Sequence, residues 1–329
     1  MQYSVFAVDE TPYCVWEYDL QDRNLRFVES IDHRYFEYLA VTHAANLEGE
    51  DRQRAAIALR TGYHHALETL FSLLCASVQA PGCVVGWIQK CSVRQLRSLV
   101  RKIQEGRHHL YNRIGLSAVT WQVLSETINL FSYPDPARTA ETQRLYAILW
   151  SRFAADFLDD YHIKEYNSIK HGFRARAGGF TLAAGTEHEY GVPPPENEMR
   201  VVGGSEFGTS FYGAQAIDGS PQIKRDPHFR VRSYALNWRP EALIPALQLA
   251  ALSIGNIVSR IRIWHGVDAR TIPFVRPEDS SFFDEPWGYG VGVTRMNMDT
   301  IISETGIRRQ STDELRAELE GSVGGNAAS

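Results

Sequence analysis

Apolar residues recur at three- and four-residue steps along most of the first half of the chain, the spacing that lines one face of an α-helix. The clearest case runs from Asp51 to Val78, where Leu59, Tyr63, Leu67, Leu70, Phe71, Leu74 and Val78 make one stripe. An earlier helix is expected over 32–47. "APGCVVG" at 80–86 interrupts the pattern with proline and glycine. Ser92 then suits the N-cap of "VRQLRSLVRKIQEG", and Gly106 its stop. A further helix is expected over 108–131, before the loop "SYPDPART". Thr139 reads as the cap of a long helix that continues without interruption to His171.

After His171 the texture changes to short runs rich in Gly, Thr, Val and aromatics, divided by turn residues. "HFRVRSYALNW" alternates as a half-buried strand does. "RPEALIPALQLAALSIGNIVSRIRIWHG" then returns to helix, with Pro240 in its first turn and so apolar a body that most of it must be buried. The pattern predicts an α+β protein, mainly α. An antiparallel helical bundle occupies 1–171, a small antiparallel β-sheet is inserted at 172–238, and the helix at 239–266 completes the bundle. Residues 267–329 form an irregular C-terminal segment with a frayed end.

Composition narrows this picture only slightly. With 329 residues and 44% hydrophobic content the chain can bury a substantial core. A formal charge of -5 gives no global attraction for nucleic acid, so any such binding needs a local basic patch. No run reaches the ~18 uninterrupted apolar residues of a membrane span, and "MQYSVFAVDETPY" lacks the pattern of a secretory signal. A cytoplasmic, membrane-free location is expected. Cys75, Cys83 and Cys91 lack the spacing of a zinc hook and read as free thiols. No metal and no cofactor is expected.

Candidate chemistry concentrates in "EYNSIKHGFRARAGG", Glu165 to Gly179. On a helix unbroken from Thr139, with ~100° per residue, Tyr146, Leu149, Trp150, Phe153, Phe157 and Tyr161 share the core-facing sector. Asp160, Lys164, Asn167 and His171 then fall in or beside it, so polar groups point inward and need partners. Arg60 and His64, on or at the edge of the Leu67–Leu74 stripe, and Asp160 are supporting candidates. Asn167, Lys164 and His171 are the catalytic candidates. Arg174 with Arg176, and Arg230 with Arg232, are spaced by two and would each project on one strand face. With Lys224 and Arg225 they would make a basic stripe beside His171, suited to phosphate.

The amphipathic helices and the pattern around "YNSIKH" resemble the HEPN superfamily, helical proteins frequent among RNA-cleaving toxins and defence proteins. That family's motif is an Arg, often followed by a polar residue such as Asn, with a His four to six residues after the Arg. Asn167 and His171 match the polar and His positions, and Tyr166 stands where the Arg would be. The resemblance implies metal-independent cleavage of RNA or action on a nucleotide phosphate. His171 would act as general acid or base, a nearby cation would stabilise phosphorane charge and Asn167 would orient the phosphate. The alternative is a non-catalytic helical protein whose polar cluster is a buried network. Its sheet, or the aromatic segment 280–293, would then bind a protein partner or a second copy of the chain.

Other chemistries lack support. Asp159 and His162 resemble half of a di-iron site with no second half. "GGSEFG" has no phosphate-loop lysine, and no nucleophile elbow occurs.

Overall fold

The computed structural model describes residues 2–17, 19–107, 110–216, 229–299 and 311–325. The chain opens with a hairpin the helical reading overlooked, β1 (Gln2–Val8) and β2 (Thr11–Glu17), turning at Asp9 with φ 56°. Helices α1 (Leu20–Glu29), α2 (Arg34–Ala44) and α3 (Arg52–Gln79) follow. Pro81 ends α3, and α4 (Val84–Lys90) and α5 (Val93–Gln104) come next. Ser92 caps α5 in a full capping box with Gln95, as the sequence indicates. The buried Gln79 side chain fixes the hairpin turn: it accepts from the Asp9 N–H at 3.0 Å and donates to the Asp9 carbonyl at 3.1 Å.

The helix expected over 108–131 is much shorter. Only α6 (Trp121–Ile128) forms, capped by Thr120. Asn112 diverts the chain before it, bonding the carbonyls of Leu110 and Leu116 and the N–H of Leu116, and Gly115 adopts φ +75°. Residues 108 and 109 lie outside the described residues.

The long helix ending at His171 is two helices. α7 (Pro136–Leu158) starts earlier than expected, with Asp135 as cap and Pro136 at its first position. Asp159 is extended (φ -66°, ψ 125°), and its carboxylate accepts from the N–H groups of Tyr161 at 2.9 Å and His162 at 3.1 Å. It thereby caps α8 (Asp160–Lys170). This break resets the helical wheel, which matters greatly for the site.

Beyond α8 lie β3 (Ala175–Ala177), β4 (Thr181–Ala184), β5 (Arg200–Gly204), β6 (Gly208–Ala216), β7 (Phe229–Asn237) and α9 (Pro240–Trp264). β8 (Arg295–Asp299) and α10 (Thr312–Gly325) follow. The C-terminal segment is therefore not irregular throughout: β8 completes an antiparallel sheet in the order β3-β6-β7-β8. β4 and β5 form a separate hairpin. The fold is α+β and mainly α. α3 packs along α9 and meets α2, α5, α7 and α8, while Ala175, Phe211, Tyr234 and Leu236 join the same core from the sheet. α9 is long and apolar enough to cross a membrane, yet 72% of its most apolar window is buried inside the protein, the state of a core helix.

Gly179 marks where the chain leaves the sheet. A Cβ there would lie 2.6 Å from both the Phe207 carbonyl oxygen and Asn237 Oδ1, and would press on the Ser205 carbonyl as well. Asn237 ties this corner together, accepting from the Phe180 N–H at 2.8 Å and donating to the Val293 carbonyl at 2.9 Å. Gly179→Ala is expected to destabilise the protein by about 1–3 kcal/mol through overpacking. A lowered thermal midpoint, with no comparable loss for Ala at the open Gly290, would check this.

Candidate functional site

With the wheel reset at Asp159, α8 buries Glu165, Tyr166, Ser168 and Ile169. Asp160, Lys164 and His171 are exposed and Asn167 half-buried, so the inward placement expected from an unbroken helix is corrected. Glu165, adjacent to the candidates but not among them, is the fully buried charge. One carboxylate oxygen accepts from Arg60 Nε at 2.8 Å and Nη2 at 2.6 Å and from His64 Nε2 at 3.1 Å. The other accepts from Trp238 Nε1 at 3.0 Å and from the Thr209 hydroxyl. One side chain thus ties α3 and α8 to β6 and to the residue after β7. Arg60 and His64 belong to this network and not to the Asn167–His171 end.

Electrostatics follow from the burial. Burial alone would raise the Glu165 pKa, but the Arg60 guanidinium and the His64 N–H outweigh it and hold the carboxyl well below its usual range. Burial, reinforced by Arg60, lowers the His64 pKa from 6.5 to about 4, so the ring is neutral at pH 7 and donates to Glu165. Protonating His64 therefore opposes the fold. Its contribution is complete above pH 6.5 and is lost as pH falls from there toward 4. A drop from pH 7 to pH 5 should remove about 2 kcal/mol through His64. Glu165 acts in the same direction below pH 4.5, its unfolded value. Urea midpoints at the two pH values measure the effect, and His64→Gln should flatten the dependence.

The opposite side of α8 faces α5 across a cleft of about 710 Å³. Asn167, His171, Asp160, Lys170 and Tyr166 line it from α8 and its C-terminal cap. Arg94, Arg97 and Arg101 line it from α5, standing at i, i+3 and i+7 on one helix face. Among the described residues no ion pair engages these three arginines. The neighbouring cations are occupied: Lys102 bonds Asp9 at 2.6 Å, Arg107 pairs with Glu105 at 2.9 Å, and Lys170 reaches Glu68 at 3.3 Å. Arg97 Nε is buried with no hydrogen-bond partner, and its guanidinium lies 5.9 Å from the Phe157 ring centre. A protein of net charge -5 thus carries one cleft with three uncommitted guanidiniums.

Several candidates lie elsewhere. Lys164 donates to the Tyr234 hydroxyl at 3.0 Å and covers that ring at 4.5 Å, so it serves the sheet contact and not the cleft, and it does not pair with Asp160. The arginine stripe also fails to form. β6 separates β3 from β7, and the exposed Arg176 stands in the row of half-buried Ser210 and Ala235. Arg232, three residues from Ala235, is on the opposite face, in register with Gly213 and Asp299. Arg174 precedes β3 and is exposed. Arg230 stands in register with Gln215. Arg174, Arg176 and Arg232 do not line the cleft, and Lys224 and Arg225 lie outside the described residues.

Tyr166, at the motif's Arg position, donates its hydroxyl to Glu68 at 2.9 Å and stacks on His64 at 5.1 Å between ring centres. In segment 280–293, Phe283 packs edge-on against Tyr146 at 5.2 Å, and Arg152 lies 4.9 Å from the Trp287 ring centre. Phe283 is buried, while Trp287 and Tyr289 remain exposed. Among the described residues no cluster of three His, Cys, Asp or Glu side chains could hold a metal. None of the family models, curated proteins or solved structures compared with the chain matches it.

Proposed function

We propose that the chain is a HEPN-like protein that binds RNA phosphates in the α5–α8 cleft and cleaves the RNA beside them without a metal. The observation that carries this reading is Arg97: a guanidinium with a buried, unpartnered Nε in the same cleft as Asn167 and His171. The family motif places its Arg next to the polar residue on one helix. Here Tyr166 occupies that position, and Arg97 on the neighbouring helix provides the cation. An antiparallel bundle like that of the superfamily is part of the proposal, supported by the packing of α3 against α9 and of α5 and α8 against α7.

In the proposed reaction the ribose 2′-oxygen forms a bond to phosphorus while the bond from phosphorus to the 5′-oxygen breaks. His171 takes the 2′ proton while water protonates the leaving 5′-oxygen, or it protonates that oxygen while water takes the 2′ proton. Arg97 and Arg101 offset the extra phosphorane charge, and Asn167 orients the non-bridging oxygens. The products are a 2′,3′-cyclic phosphate and a 5′-hydroxyl. Incubating the purified protein with a mixed RNA pool in a chelator tests this directly. Fragments with cyclic phosphate ends are expected; an intact pool would remove the cleavage claim.

A second reading, a binding module without catalysis, is favoured by one observation. Tyr166 is committed to Glu68, so the residue at the motif's Arg position cannot take part. RNA bound but left intact would support it.

A further inference from the structure

A second cavity lies between the helices and the sheet and shares no lining residue with the arginine cleft. It holds about 190 Å³, roughly six waters at ~30 Å³ each. That is smaller than the ~300–1,000 Å³ of drug-sized ligand sites, so its occupant is of metabolite size. Trp238, Trp287 and Tyr289 give it apolar walls, and Asp156 and Arg239 both line it.

Those two side chains carry opposite charge, are each half-buried, and make no ion pair with one another or with any other described residue. Asp156 accepts one hydrogen bond on a carboxylate oxygen, from Tyr63 Oη at 2.6 Å, and Arg239 sits at the N-terminal cap of α9. Arg60 and His162 also line the cavity, and Arg60 is close enough to Asp156 for the two charges to attract although its ion pair is elsewhere. Arg60 is spent on Glu165, and burial, helped by Arg60, lowers the pKa of His162 and keeps its ring neutral. Opposite charges that line one cavity without pairing with each other are complementary to a ligand that carries both, because each then gains a charged partner.

We infer that this cavity is a binding site for a small zwitterion of the α-amino-acid class. Its ammonium group sits on Asp156, its carboxylate on Arg239, and an apolar side chain lies against Trp287 and Tyr289. This inference is independent of RNA cleavage.

Calorimetric titration with the proteinogenic amino acids tests it, with phenethylamine and 3-phenylpropionate as analogues carrying a single charge. One or more amino acids with apolar side chains should bind, and each analogue should bind at least about tenfold more weakly than phenylalanine or not at all. Arg239→Gln and Asp156→Asn should each weaken binding by about tenfold or more, while Arg97→Ala leaves it unchanged. Should Asp156→Asn disturb folding through Tyr63, Arg239→Gln, which leaves the Tyr63 contact in place, decides alone. No binding by any amino acid, analogues as tight as the zwitterion, or an unaltered affinity in Arg239→Gln would overturn the assignment.

Discussion

Glu165→Ala is expected to destabilise the protein by about 3–5 kcal/mol, a large share of the ~5–15 kcal/mol that holds a typical domain folded. The loss has little to do with the pair's net attraction. Removing the carboxylate leaves the Arg60 guanidinium buried and uncompensated, and takes an acceptor from His64, Thr209 and Trp238 at once. Glu165→Gln should be nearly as damaging, because it keeps the shape but removes the charge that Arg60 faces. Arg60→Met in the Glu165→Gln background should restore part of the loss, since the uncompensated charge is then gone. Denaturant midpoints for wild type, Glu165→Gln, Arg60→Met and the double variant give the coupling. Additive effects would show that the two side chains are not one unit.

His171→Ala and Arg97→Ala should each abolish most RNA cleavage while leaving thermal stability close to wild type. Loss of the general acid or base is expected to slow the reaction by about 10²–10⁴-fold, and loss of the charge-stabilising Arg by about 10²–10³-fold. Neither residue is part of the Glu165 network. His171 is exposed at the end of α8, and the Arg97 Nε has no partner to lose. Arg97→Lys keeps the charge but not the planar fork, so an intermediate rate is expected. Rates of fragment release at saturating protein, with melting curves beside them, separate a chemical defect from an unfolded one. Wild-type rates in both variants would place the chemistry elsewhere.

Much of the scaffold was legible because periodicity is local. The Leu59–Val78 stripe, the Ser92 capping box and the buried α9 all appear where the spacing puts them. The failures share a cause, a short-range polar contact that outweighs propensity. Asp159 breaks a helix that the apolar spacing runs straight through, and Asn112 unwinds residues that would otherwise extend α6 backward.

The site suffered from the first of these. A wheel continued across Asp159 turns Asn167 and His171 inward and leaves Glu165 outside the core-facing sector. Started afresh at Asp160, the buried phase of Glu165, Tyr166, Ser168 and Ile169 singles out Glu165 as a carboxylate in need of a cation. The arginines of α5 were visible as i, i+3, i+7 on the face away from Leu96, Leu99, Val100 and Ile103. What one sequence could not convey was that this face meets α8. The strand arginines failed because β6 separates β3 from β7 and the register puts Arg176, in the row of Ser210 and Ala235, and Arg232, opposite Gly213, on opposite faces.

The claim that the α5–α8 cleft holds phosphate is tested most directly by the salt dependence of binding to a short single-stranded RNA. For a single strand, each phosphate neutralised adds about 0.7 to the slope of log affinity against log salt. With Arg94, Arg97 and Arg101 all replaced by alanine, that slope should fall by about 2, and the same change at Arg174 and Arg176 should leave it unaltered. An unchanged slope in the α5 triple variant, or an equal fall on removing the two strand arginines, would contradict the assignment.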